Sequence, residues 1–122
     1  PVVLYFFPKA FTPGCSAEAR EFAENIDKFK AAGATVIGMS ADPVDDLVAF
    51  STKECAGKFA VASAGPGIVS GYDVALKMRP GMTDRTSYVI APSGRIAFVH
   101  SEMNYAEHVK STLAAVQAMK QK

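Results

Sequence analysis

Two cysteines are too few for a disulfide scaffold. Two histidines, His100 and His108, lie eight apart on different expected elements. No second cysteine or carboxylate stands at ligand spacing from them, so no metal site is expected. Charge of one sign is lacking too. The net charge is +1, with no basic block and no interleaving of aromatic and basic residues, which leaves nucleic-acid binding without support. No apolar run reaches the length of a membrane span. Repeats, linkers and low-complexity stretches are absent. The segment from Pro8 to Gly14 lacks the glycine and lysine spacing of a phosphate loop. The chain opens on Pro1 rather than Met, and no leader is visible. The cytoplasm is the default compartment, with the periplasm as the alternative because the true start can lie upstream.

What is present suits one domain over residues 1–122, with 49% apolar and 20% charged residues. Pro1 to Phe7 is apolar throughout, as in a central strand buried on both faces. Pro13 to Ala32 reads as a helix, with Phe22, Ile26 and Phe29 at helical spacing and Gly33 as its end. Ala34 to Ser40 is a second strand, and Asp42-Pro43 caps a helix running to about Cys55. Phe59 to Ala62 is a short strand, and Gly65-Pro66-Gly67 a turn before a helical piece reaching Tyr72. Ala75 to Asp84 reads as a loop. Thr86 to Ile90 and Arg95 to Ser101 form a hairpin around Ala91-Pro92-Ser93-Gly94. Tyr105, Val109, Leu113 and Val116 stripe a last helix. The expectation is an α/β fold whose mixed central sheet carries helices on both faces, its first crossover right-handed.

The chemistry gathers where the first strand hands over to the first helix. Thr12 can cap that helix, and Pro13 suits its first turn. Cys15 is then its third residue, among free N–H groups at the positive end of the helix dipole. That points to a nucleophilic thiolate. The alternative is a small apolar core residue, the commoner fate of a free cysteine. An ordinary thiol is only about 3% ionised at neutral pH, and majority ionisation asks for roughly 3.4 kcal/mol. A helix terminus supplies about 2 kcal/mol at most, so a second positive group is needed. Lys9, Arg20, Arg79, Arg85 and Arg95 are the candidates. Arg85 is the best of them, because it enters a strand just after a polar loop; a surface ion pair is its alternative. The Thr12 hydroxyl, three residues before Cys15, can lie on the same lip or serve as a cap.

Two other cysteine sites are excluded. A tyrosine-phosphatase loop needs arginine six residues after its cysteine, where this chain has Glu21. A C-x-x-C redox pair needs a second cysteine where Glu18 stands.

The run Pro8-Lys9-Ala10-Phe11-Thr12-Pro13-Gly14-Cys15 resembles the P-x-x-x-T/S-x-x-C signature of peroxiredoxins. Leu4-Tyr5-Phe6-Phe7 before it and Ser16-Ala17-Glu18-Ala19 after it look most like the bacterioferritin-comigratory-protein, or peroxiredoxin Q, branch. Gly38-Met39-Ser40-Ala41-Asp42 and Arg85-Thr86-Ser87-Tyr88-Val89-Ile90 match in order and spacing. The resemblance implies a thioredoxin-like fold and thiol-dependent reduction of hydrogen peroxide and organic hydroperoxides. By it, Cys15 is the peroxidatic cysteine, Thr12 and Arg85 hold the peroxide, Pro8 shields the site and Glu18 orients the arginine. It implies thioredoxin or another small thiol as reductant, no cofactor, and a monomer.

The pattern departs from the family at two places. Several dozen residues with strands normally precede the run at Val2. A resolving cysteine often stands five residues after the peroxidatic one, where this chain has Arg20. Cys55 is the only substitute, at a helix end where fraying is cheap. The reduced form is expected to hold it farther from Cys15 than a disulfide allows. A glutaredoxin-like thiol reductase and a binding module with an inert cysteine are the competing functions.

Overall fold

Strand β1 (Val2–Phe6) is central, and both of its faces are buried. In the computed structural model, residues 1–9, 11–54, 59–65, 68, 71–72, 83–102 and 106–120 are described. The elements run β1, α1 (Pro13–Glu24), α2 (Ile26–Ala31), β2 (Thr35–Ser40), α3 (Val44–Glu54), β3 (Ala60–Ser63), β4 (Thr86–Ile90), β5 (Ile96–Ser101) and α4 (Ala106–Lys120). The five-stranded sheet has the order β3-β2-β1-β4-β5. β2 lies parallel to β1 and β3 parallel to β2, whereas β4 and β5 are antiparallel additions. The expected mixed sheet is the one found.

Alternation along β1 divides the core. Val3, Tyr5 and Phe7 face a cluster built with Ala19, Phe22 and Phe29 from α1 and α2, Leu47 and Phe50 from α3, and Val109 and Val116 from α4. Leu4 and Phe6 face the other side with Met39, Ala64 and Tyr88, and Tyr72 packs against them. The Tyr72 N–H lies 3.0 Å from the Ile68 carbonyl. Tyr5 stacks on Phe22 at 4.4 Å and Phe7 on Phe50 at 5.2 Å. Such pairs each add about 0.5–1.5 kcal/mol beyond the area they bury.

The single helix expected over Pro13–Ala32 is two helices. Asn25 Nδ2 donates to the Glu21 carbonyl at 2.8 Å, and the Asn25 N–H is shared between the Glu21 and Phe22 carbonyls at 3.2 Å. The side chain thus competes for the ladder and closes α1. The Asn25 carbonyl then accepts the Lys28 N–H at 2.9 Å and opens α2. Gly33 ends α2 as expected, with φ +79°. Its N–H reaches the Lys30 carbonyl and the Ala34 N–H the Phe29 carbonyl, both at 2.9 Å, a Schellman closure.

Helix α3 begins at Val44, and the Pro43 carbonyl accepts the Leu47 N–H at 3.2 Å. The Asp42 carboxylate instead takes the Ser40 hydroxyl. The β4–β5 hairpin closes with the Ala91 N–H on the Arg95 carbonyl and the Gly94 N–H on the Ala91 carbonyl, both 2.8 Å, Gly94 having φ +89°. Cys55, Arg79, Tyr105 and nearly all of the loop expected over residues 75–84 lie outside the described residues. Among the described residues, no helix is long and apolar enough to cross a membrane.

Candidate functional site

The end of β1 is tied on both sides. The Phe7 N–H bonds the Met39 carbonyl at 3.0 Å, and the Phe7 carbonyl accepts the Thr83 hydroxyl at 2.7 Å. Pro8 follows, buried. The chain then passes through Phe11, whose φ of +65° is a left-handed conformation costly for a bulky residue. Its ring meets Phe50 edge-on at 5.4 Å, which offsets part of that cost. Thr12 occupies the cap position of α1, yet its hydroxyl makes no capping bond. It donates to the Lys9 carbonyl at 2.8 Å and closes that turn, so the expected side-chain cap is not made. The Thr12 carbonyl accepts the Ser16 N–H at 2.9 Å, the first bond of the helix.

Cys15 sits on the third residue of α1 and is 1% exposed. Arg85 leads into β4, whose Thr86 pairs with Phe6, so the arginine emerges at the same end of the sheet as Pro8. Its carbonyl is fixed by the Glu102 N–H at 3.0 Å. Its Nη2 donates to Cys15 Sγ at 3.3 Å, and its Nη1 to Glu18 Oε1 at 2.7 Å. Cys15 and Glu18 are three apart on one helix, so both face the same fork. Of the other cations weighed, Lys9, Arg20 and Arg95 are exposed, and Arg95 lies in the hairpin turn at the far end of the sheet. Gly14 makes room: a Cβ there would stand 3.2 Å from Arg85 Nη2.

The cluster's electrostatics are set by burial. Loss of water pushes the Glu18 carboxyl up to about 8, against the pull of Arg85's charge and hydrogen bond. Burial opposes Arg85's charge, but Glu18 and Cys15 outweigh it and hold the guanidinium more firmly protonated than usual. Behind Glu18 lies His108, 0% exposed, with Nδ1 3.8 Å from Glu18 Oε2. Burial lowers the His108 imidazole to about 4.

These two groups bend the pH dependence of stability in opposite directions. Glu18's folded value is raised, so its contribution is full below 4.5 and is lost as pH rises through about 8. His108's is lowered, so its contribution is full above 6.5 and is lost as pH falls through about 4. Denaturant midpoints should therefore decline from pH 6.5 to 8, and Glu18→Gln should flatten that limb. A midpoint that stays level across the window in the parent would refute the assignment.

His108 was not foreseen as part of the site. The two histidines, expected on separate elements, pack edge-on with ring centroids 4.6 Å apart. The signal was there: His108 and Thr112 are four apart beside Val109 and Val116, polar residues on the inward face of α4.

The AhpC/TSA family profile matches residues 1–99. Chloroplastic peroxiredoxin Q of Sedum lineare is 31% identical over 121 residues, covering 98% of this chain and 65% of that protein. The Suaeda salsa counterpart is 32% identical over 120 residues, covering 98% of this chain and 56% of its own length. The chain thus spans between a half and two thirds of these curated relatives. A serine mutant of peroxiredoxin Q from Xanthomonas campestris superposes with TM-score 0.86 at 29% identity, over 97% of this chain and 78% of that one. Bacterioferritin comigratory protein of the same organism, studied for alkyl peroxide reduction, gives TM-score 0.81 at 28% identity, over 98% and 79%. The chain shares the thioredoxin-like fold of these solved structures, and with sheet, signature and profile in agreement it belongs to the AhpC/TSA family, in its peroxiredoxin Q branch.

Proposed function

We propose that the chain is a thiol-dependent peroxidase in which Cys15 reduces hydrogen peroxide and organic hydroperoxides. The observation that carries this reading is the Arg85 fork, one arm 3.3 Å from the Cys15 sulfur and the other fixed by Glu18. A guanidinium so placed favours negative charge on sulfur and can still donate to a peroxide oxygen. The Thr12 hydroxyl has its proton committed to the Lys9 carbonyl, which leaves its oxygen free to accept from the peroxide O–H. Buried Pro8, with no N–H to satisfy, keeps water from the sulfur.

The sulfur attacks the distal oxygen. An S–O bond forms, the O–O bond breaks, and the departing oxygen takes a proton and leaves as water or alcohol. The sulfur loses two electrons and becomes a sulfenic acid. A thiol then displaces hydroxide as water to give a disulfide, and a second thiol releases Cys15. Cys15 is 1% exposed, which leaves no room for a protein thiol, so the second stage requires the first turn of α1 to unwind. Cys55 is the proposed resolving thiol, and thioredoxin or another small thiol the final reductant of a monomeric enzyme that needs no cofactor. The proposed compartment is the cytoplasm, or else the periplasm; the plant relatives are named as chloroplastic.

One experiment tests both stages. The reduced chain is mixed with one equivalent of peroxide, its oxidation rate followed, and its peptides mapped by mass spectrometry. We expect rapid oxidation and a Cys15–Cys55 disulfide. A rate no faster than that of a free thiol removes the peroxidase reading. A lasting sulfenic acid or external mixed disulfide at Cys15, with Cys55 free, makes it a one-cysteine enzyme.

A further inference from the structure

The buried edge between Glu18 and His108 is built so that two lone pairs meet. His108 Nε2 lies 2.7 Å from the Glu102 carbonyl, which can only accept, so Nε2 carries the ring proton. In the neutral ring Nδ1 is then an acceptor, and the Ser87 hydroxyl donates to it at 2.8 Å. The same Nδ1 faces Glu18 Oε2 at 3.8 Å. That oxygen is buried and, among the described residues, has no hydrogen-bond partner. An ionised carboxylate would leave Oε2 charged, dry and opposite another lone pair, the arrangement buried sites avoid. A proton on Oε2 removes that buried charge: Oε1 still accepts from Arg85, and Nδ1, its lone pair already taken by the Ser87 hydroxyl, offers Oε2 no donor that would favour the ionised form.

We propose that His108 is a positioning residue that keeps Glu18 protonated, so that the charge of Arg85 is committed to the Cys15 sulfur rather than divided between two anions. This rests on Cys15 being the reacting thiol. The charge count favours it. Thiolate, guanidinium and carboxylate together leave a buried net charge of −1, whereas a protonated Glu18 leaves none. The surroundings push the same way. Glu18 is faced by Arg85 from the start of β4, by His108 from α4, and by Glu21 and Cys15 on its own helix, the negative charge of Glu21 opposing its ionisation. His108 is faced by His100 of β5 and by Arg85, both of which resist a charge on the ring, and by Glu102, which favours one. The burial that lifts the carboxyl and lowers the imidazole thus keeps the ring neutral and the proton on Glu18.

The test is infrared spectroscopy of the reduced full chain at neutral pH, for the parent, Glu18→Gln and His108→Asn. It is paired with the rate of iodoacetamide alkylation at Cys15, read by peptide mass spectrometry. The parent should show a protonated-carboxyl C=O band that Glu18→Gln removes. In His108→Asn an amide N–H can satisfy Oε2, so the band should convert to carboxylate. Alkylation should then slow about tenfold, because the Arg85 charge is divided between the sulfur and a new anion. The double variant should regain the Glu18→Gln rate, because the carboxylate is gone. No carboxyl band lost in Glu18→Gln overturns the proposal, and this comparison stands alone if His108→Asn does not fold. An unmoved alkylation rate in folded His108→Asn also overturns it and leaves His108 a core residue. These readouts do not require peroxide turnover, so they separate this proposal from the peroxidase reading.

Discussion

Cys15→Ser should lose peroxide reduction down to the uncatalysed background while keeping its fold. Oxygen replaces sulfur at nearly constant shape, but a serine hydroxyl does not ionise near neutral pH and forms no stable oxygen–oxygen analogue of the sulfenic acid. The stability cost should be small. A buried hydroxyl costs about 1–3 kcal/mol only if it finds no partner, and Arg85 Nη2, the donor to Sγ at 3.3 Å, remains beside it. Circular dichroism should therefore match the parent when the rate is gone. Peroxide consumption by Cys15→Ser at the parental rate would place the chemistry elsewhere. Loss of rate together with loss of fold would leave Cys15 a packing residue.

Arg85→Lys conserves charge and should still slow peroxide reduction by roughly 10²–10³-fold, the scale of losing one donor aimed at developing charge. The guanidinium serves two partners at once from one plane, Glu18 at 2.7 Å and Cys15 at 3.3 Å. An ammonium on a shorter reach is a point charge and cannot hold both. Whichever partner it abandons is buried, so about 1–3 kcal/mol of stability should go with the rate. The check is a peroxide titration of rate beside a denaturant melt. If both are unchanged, Arg85 is no part of the reaction.

The fold was legible where burial alone decides structure. The unbroken apolar run at Val3 to Phe7 announced a strand with two buried faces, and both clusters are found on it. Turn chemistry placed the hairpin at Gly94 and the helix end at Gly33, because each needs a positive φ that glycine accepts. The interruption at Asn25 was not legible, since the stripe of Phe22, Ile26 and Phe29 survives the break and stays buried. At the site, the demand for a second cation led to Arg85, and the family resemblance brought in Glu18, which the i, i+3 spacing sets on the same face of α1 as Cys15. The Thr12 hydroxyl went the other way. Composition favours a cap there, but the turn from Lys9 offered its carbonyl closer at hand. His108 was missed because its signal, a polar pair with Thr112 on the inward face of α4, does not say what it faces. Its meaning comes from an orphaned carboxylate oxygen on a helix 90 residues away in the chain, at Glu18.

The distance along the chain between the fork and its targets has a consequence for how the protein is made. Arg85 meets Cys15 across 70 residues and Glu18 across 67. Both contacts require β4 to be paired with β1, so they close a long loop of chain. During synthesis Cys15 is complete long before the arginine that favours negative charge on its sulfur has been added. Sulfur and guanidinium thus come together only once the sheet closes, and a nascent chain carries Cys15 without the fork beside it.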